Sequence, residues 1–114
     1  MPQIKDSLTM VYVSNMEQSI DFYVNKLGFE EKVRYGDDWA VILAPNMQIA
    51  LHPLRDKKMD FAYNMQMGFQ VDDIQLSMEA LKAKGVNVTY IGDDDVKLAP
   101  FTDPDGNQLY LWSY

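Results

Sequence analysis

His52 is the only histidine in a chain of 114 residues that contains no cysteine. Those two counts bound the chemistry. Without thiolates the chain cannot build a zinc finger, an iron–sulfur cluster or a thiol nucleophile, and no disulfide staples it, which is compatible with a reducing compartment. His52 could move a proton, since a free imidazole titrates at about 6.5. No carboxylate is evident on its register to orient it, so it reads first as a polar wall or surface residue. The remaining side chains with chemical potential are rings and uncharged amides: Tyr12, Trp39, Tyr110 and Trp112, with Gln48, Gln66, Gln70 and Gln108, and the adaptable Met10. Such groups stack on a flat or cationic molecule and fix its orientation by hydrogen bonds. Trp39 falls in the alternation Trp39, Val41, Leu43, where it can stack on a ligand or simply pack. The run Asp93-Asp94-Asp95 lacks the spaced oxygens and glycine of a calcium loop and reads as a solvated turn.

The elements that must position these groups recur along the chain. The segment beginning Val13-Ser-Asn-Met and the one beginning Val71-Asp-Asp-Ile share a pattern at an offset of 58 residues: an alternating strand, a polar helix cap, an amphipathic helix and a terminal glycine. Asn15 caps a helix expected over Met16 to Leu27, with a buried stripe of Met16, Ile20, Tyr23 and Leu27 and a stop at Gly28. Asp73 caps the second helix, with Ile74, Met78 and Leu81 as its stripe and Gly85 as its stop. After each helix the period changes from 3.6 to 2. The strands then expected are Phe29 to Tyr35, Asp38 to Ala44 and Met47 to His52 in the first half. Val86 to Ile91, Val96 to Thr102 and Asn107 to Ser113 follow in the second. Each half reads βαβββ, with module one about 1–57, module two about 58–114, and a linker at Pro53 to Asn64. Modules this small cannot cover their own helix faces, which argues for one domain sharing one sheet.

Alternation assigns the faces. Thr9, Val11 and Val13, Ile49 and Leu51, Met67, Phe69 and Val71, and Leu109 and Leu111 form the core register, to be covered by the helices. The opposite register carries Leu8, Met10, Tyr12, Gln48, His52, Gln66, Gln70, Gln108, Tyr110 and Trp112, with Gly68 allowing close approach in mid-strand. That face suits a ligand pocket, a dimer interface or plain surface.

Charge narrows the partners. Seventeen acidic residues against ten basic ones leave a net charge of −7. A phosphate backbone needs clustered Lys and Arg, so nucleic acid is disfavoured, while a neutral or cationic small molecule meets less repulsion. No apolar run reaches the roughly 18 residues of a membrane span, and Met1 to Asp6 lacks the apolar stretch of a signal peptide. A cytoplasmic protein that meets no membrane is the expectation.

Three stretches carry a likeness to a known family: the strand end Val13-Ser-Asn, the stretch Ser19-Ile-Asp-Phe-Tyr-Val-Asn-Lys-Leu-Gly-Phe29, and Phe101-Thr-Asp-Pro-Asp-Gly-Asn-Gln-Leu-Tyr-Leu111. Together with the internal repeat they resemble the glyoxalase/bleomycin resistance/extradiol dioxygenase family, the vicinal oxygen chelate superfamily. The resemblance implies an α+β fold of two βαβββ modules. They would form one strongly curved mixed sheet that cups a cavity, with helices on the convex face, commonly as a homodimer. In metal-dependent relatives four strand positions hold the ion; the resemblance puts them here at Leu8, on or beside Ala50, at Gln66 and at Tyr110. Leu and Ala offer no lone pair, a neutral Gln is a weak ligand, and a Tyr with a pKa of about 10 stays protonated. With one His in the chain, a site of two His and one carboxylate cannot form within one subunit. No metal and no cofactor is therefore expected.

The leading expectation is a metal-independent sequestration protein resembling the bleomycin-resistance branch. Tyr12, Trp39, Tyr110 and Trp112 would stack on a cationic or aromatic ligand, and Gln66, Gln70 and Gln108 would orient it. The alternatives are a glyoxalase-like lyase or isomerase, metal-free with His52 as base or with a non-standard metal site assembled across a dimer, and a module whose ring-bearing face is covered by another chain.

Overall fold

The computed structural model describes residues 2–54, 65–93 and 95–114. The chain divides into two compact units, Met1–Lys58 and Met59–Tyr114. Most of the expected linker and Asp94 lie outside the described residues.

The first unit contains β1 (Thr9–Val13), a helix α1 (Met16–Ile20) that continues in π-helical form over Asp21–Lys26, β2 (Glu30–Tyr35), β3 (Trp39–Ala44) and β4 (Met47–Pro53). Its sheet runs β1-β4-β3-β2, with β1 parallel to β4 and the other pairs antiparallel. Asn15, in extended backbone, accepts the Gln18 N–H at 3.0 Å as the cap requires. The expected α-helix does not persist to Leu27. From Asp21 the bonds widen to five-residue spacing, Leu27 N–H donating to the Phe22 carbonyl at 3.0 Å. The wider turn brings Phe22 and Tyr23 inward together, at 4% and 0% exposure, whereas Leu27 is only half-buried. Gly28, at φ 81°, then ends the helix, as a side chain could not do without strain.

The second unit contains β5 (Met67–Gln70), α2 (Ile74–Ala83), β6 (Lys97–Thr102) and β7 (Gln108–Ser113), its sheet ordered β5-β7-β6 with β5 parallel to β7. Asp73 caps α2 through the Leu76 N–H at 3.0 Å, and Ile74, Met78 and Leu81 are its buried stripe. The strand expected over Val86 to Ile91 is absent. Val86 and Val88 are buried between exposed neighbours, as in a strand, but only Thr89 and Ile91 donate to β6, at the carbonyls of Pro100 and Leu98. Pro100 has no N–H to return, so the ladder cannot close.

The structure is thus α+β with a strand–helix–strand module in each half and one mixed sheet per unit, four-stranded in the first and three-stranded in the second. The core register is buried as expected on β1, β4 and β7, at Val11, Val13, Ile49, Leu51, Leu109 and Leu111, and Ala40 and Ile42 join it from β3. Thr9 and the β5 side of that register, Met67, Phe69 and Val71, are only half-buried.

Candidate functional site

In the first unit the strand register sets three of the expected residues side by side. Tyr12 of β1 is opposite His52 of β4. The register that pairs Ala40 with Leu51, carried one residue further, sets Trp39 of β3 on the other side of His52. The rings confirm the placement: Tyr12 lies 5.7 Å from His52 at 69°, and Trp39 lies 6.3 Å from it at 78°. All three are half-buried. The imidazole Nδ1 is 2.9 Å from the Pro53 carbonyl oxygen. A carbonyl only accepts, so the proton sits on Nδ1, and in the neutral ring Nε2 carries the lone pair. The orienting group that alternation did not supply is therefore backbone.

Farther down the same face, Met10 is 42% exposed and pairs with Ala50, which is fully buried. Gln48 is committed within the chain. Its Nε2 donates to Asp6 Oδ1 at 2.9 Å and to the Ser7 carbonyl at 3.0 Å, and its Oε1 accepts from Lys32 Nζ at 3.0 Å. Lys32 reaches this face because a bulge between Glu31 and Val33 shifts the β2 register. The Gln48 amide, then the Ser7 N–H, hold the Asp6 carboxyl below its ordinary range.

In the second unit Tyr110 is paired with Gly68, and its ring lies across that glycine, where any Cβ would overlap it. Gly68→Ala is expected to cost about 1–3 kcal/mol in urea denaturation. The cost should vanish in a Tyr110→Ser background; a persistent cost there would mean the ring is not what Gly68 accommodates. Trp112 sits between Gln70 and Leu98 in the register and meets Tyr114 edge-on at 5.2 Å. Gln108, opposite Thr102, is half-buried. Gln66 and Gln70 are exposed, Gln66 just ahead of β5.

The strand pairings also relate the two units. Ala50 pairs with Met10 as Tyr110 pairs with Gly68, and His52 pairs with Tyr12 as Trp112 pairs with Gln70. Each unit thus carries a ring at the equivalent position, His52 two residues beyond Ala50 in one and Trp112 two residues beyond Tyr110 in the other.

Sequence reasoning missed Tyr35, Tyr114 and the Gln48 partners. Tyr35 pairs with Trp39 across the β2–β3 hairpin and is 66% exposed; the short turn between the strands was signal enough to find it. It also missed a cavity of about 370 Å³ beside the start of α2, lined by Asp72, Asp73, Ile74, Gln75, Tyr90, Lys97 and Ser113. Ser113 belongs to the buried register of β7, so this cavity is not on the ring-bearing face. Asp93 Oδ1 accepts the N–H groups of Asp95 and Val96, both at 2.9 Å, which commits that carboxylate to a turn.

The family model for the glyoxalase/bleomycin resistance protein/dioxygenase superfamily matches residues 7–111. The chain belongs to this superfamily. Among solved structures, SMU.1112c is 26% identical with a TM-score of 0.78, over 96% of this chain and 99% of that one. The glyoxalase family protein from Enterococcus faecalis is 22% identical with a TM-score of 0.76, over 95% and 96%. Lactoylglutathione lyase from Agrobacterium tumefaciens is 16% identical with a TM-score of 0.77, over 99% and 96%, a likeness of fold. No curated protein matches the chain.

Two of the four positions that the family resemblance assigns to a metal lie in the first unit. Leu8 is 47% exposed just ahead of β1, and Ala50 is a fully buried methyl. Among the described residues no group of three or more His, Asp or Glu side chains is placed to hold an ion. Neither the Leu8 nor the Ala50 side chain offers a lone pair to a divalent ion. No helix among the described residues is long and apolar enough to cross a membrane.

Proposed function

We propose that this superfamily member binds a small organic molecule on the ring-bearing faces of its sheets without a catalytic metal, and holds it rather than transforming it. The observation that carries the reading is the contrast on those faces. Ala50 and Leu8 occupy positions where an ion would need lone pairs, while Tyr12, Trp39 and His52 in one unit, and Tyr110 and Trp112 in the other, keep half-buried rings. Rings with a few placed polar atoms are what an organic ligand requires. The net charge of −7 favours neutral or cationic compounds.

A second reading, a metal-free lyase or isomerase, draws on the Nδ1 contact with Pro53, which turns Nε2 into a usable base. It requires turnover, and sequestration requires none. Thermal unfolding against a panel of cationic and aromatic compounds tests the proposal, with the protein treated or untreated with EDTA. A ligand at 100 times its Kd adds about 2.7 kcal/mol of stability, and the shift should be the same with and without chelator. A shift that needs divalent cation, stoichiometric conversion of the bound compound, or no shift with any compound would each contradict it.

A further inference from the structure

The geometry points to an elongated, multi-ring ligand with a hydrogen-bond donor near its middle, lying across the strands of the first sheet along Tyr12, His52, Trp39 and Tyr35. This rests on the small-molecule reading above and names the class of ligand. Residues paired directly across strands share a face. Tyr12 pairs with His52 and Tyr35 with Trp39, while Trp39 and His52 are in ring contact, so one ring from each strand stands in a row running β1-β4-β3-β2. Adjacent strands are about 4.8 Å apart, which makes the row about 14 Å long, the reach of two or three linked rings rather than one. It is open at one end, where Tyr35 is 66% exposed.

The second element is the imidazole. Tyr12 and Trp39 meet the imidazole at 69° and 78°, edge to face rather than stacked. Nδ1 is engaged by the Pro53 carbonyl, and the neutral ring therefore presents Nε2 as an acceptor. A ligand that spans the row must bring an N–H or O–H to that point; an acceptor there would face a lone pair.

The probes 2-phenylindole and 1-methyl-2-phenylindole differ in that one donor. Equilibrium dialysis should show the N–H compound binding about five- to tenfold more tightly, the worth of one hydrogen bond. His52→Ala should erase the difference, and Tyr35→Ala, at an exposed position that leaves the fold intact, should weaken both compounds alike. Equal affinity of the two indoles for the unaltered protein would overturn the inference. So would indifference to Tyr35→Ala, or sedimentation showing that two copies of the chain cover the row and separate when Tyr35 is removed. If neither indole binds while another compound of the thermal panel does, the ligand class is refuted and the binding reading stands; if nothing binds, both fall.

Discussion

Truncating Tyr23 to alanine is expected to cost about 3–5 kcal/mol of folding stability, the range for emptying a fully buried aromatic site. Tyr23 is 0% exposed and meets the Phe22 ring edge-on at 5.2 Å. The π-helical turn makes both rings internal, because one extra residue per turn rotates neighbours that an α-helix would place farther apart on its circumference. A hole there cannot collapse without unwinding that turn. Urea denaturation of Tyr23→Ala and Tyr23→Phe checks it. The phenylalanine variant keeps the ring and should lose far less; a loss below about 1.5 kcal/mol for the alanine variant would mean the helix segment repacks freely.

Asp103→Ala is the second large effect, expected at about 2–4 kcal/mol because three donors lose a buried carboxylate acceptor. Asp103 is 4% exposed. Its Oδ1 accepts the N–H groups of Asp105 and Asn107 at 2.9 Å each, and its Oδ2 accepts Asn107 Nδ2 at 2.8 Å. The turn it organises leads into β7, which carries Tyr110 and Trp112, so the variant should also disturb ligand binding. Asp103→Asn keeps an amide oxygen that can serve Asp105 and Asn107, and should lose less than half as much. Equal losses would show that charge, not the acceptor geometry, holds the turn.

What was legible in the sequence is what short-range chemistry dictates. Asn15 and Asp73 cap their helices because each is followed by a helical run whose third N–H needs an acceptor. The core register follows from alternation, since a strand buried on one face must place every second residue there. The departures have equally local causes. Pro100 breaks a ladder that hydrophobic alternation in Val86 to Val88 suggests, and an alternation pattern carries no information about missing donors. Phe22 is buried because a widened turn changes the period, which a stripe counted at 3.6 cannot register.

The site was legible in composition more than in assembly. Tyr12 and His52 are readable as second-face residues and Trp39 only as a ring that stacks or packs, and their proximity depends on β1 pairing with β4 and β3 pairing with β4, which the sequence leaves open. Gln48 shows the same limit more sharply. It reads as an available amide, yet its partners Lys32, Ser7 and Asp6 lie 16, 41 and 42 residues away and satisfy both ends of it. Tyr35 is legible through the short turn that pairs it with Trp39, not through its own position, where an aromatic residue reads as surface.

The proposed function requires that these faces hold organic ligands and bind no divalent ion. The most direct measurement is metal content after dialysis against nickel, zinc, iron(II) or manganese, by mass spectrometry of the equilibrated protein. The result predicted is far less than one ion per chain for every metal, unchanged by Gln66→Ala or Tyr110→Phe. One tightly held ion per chain, lost in either of those variants, would contradict it.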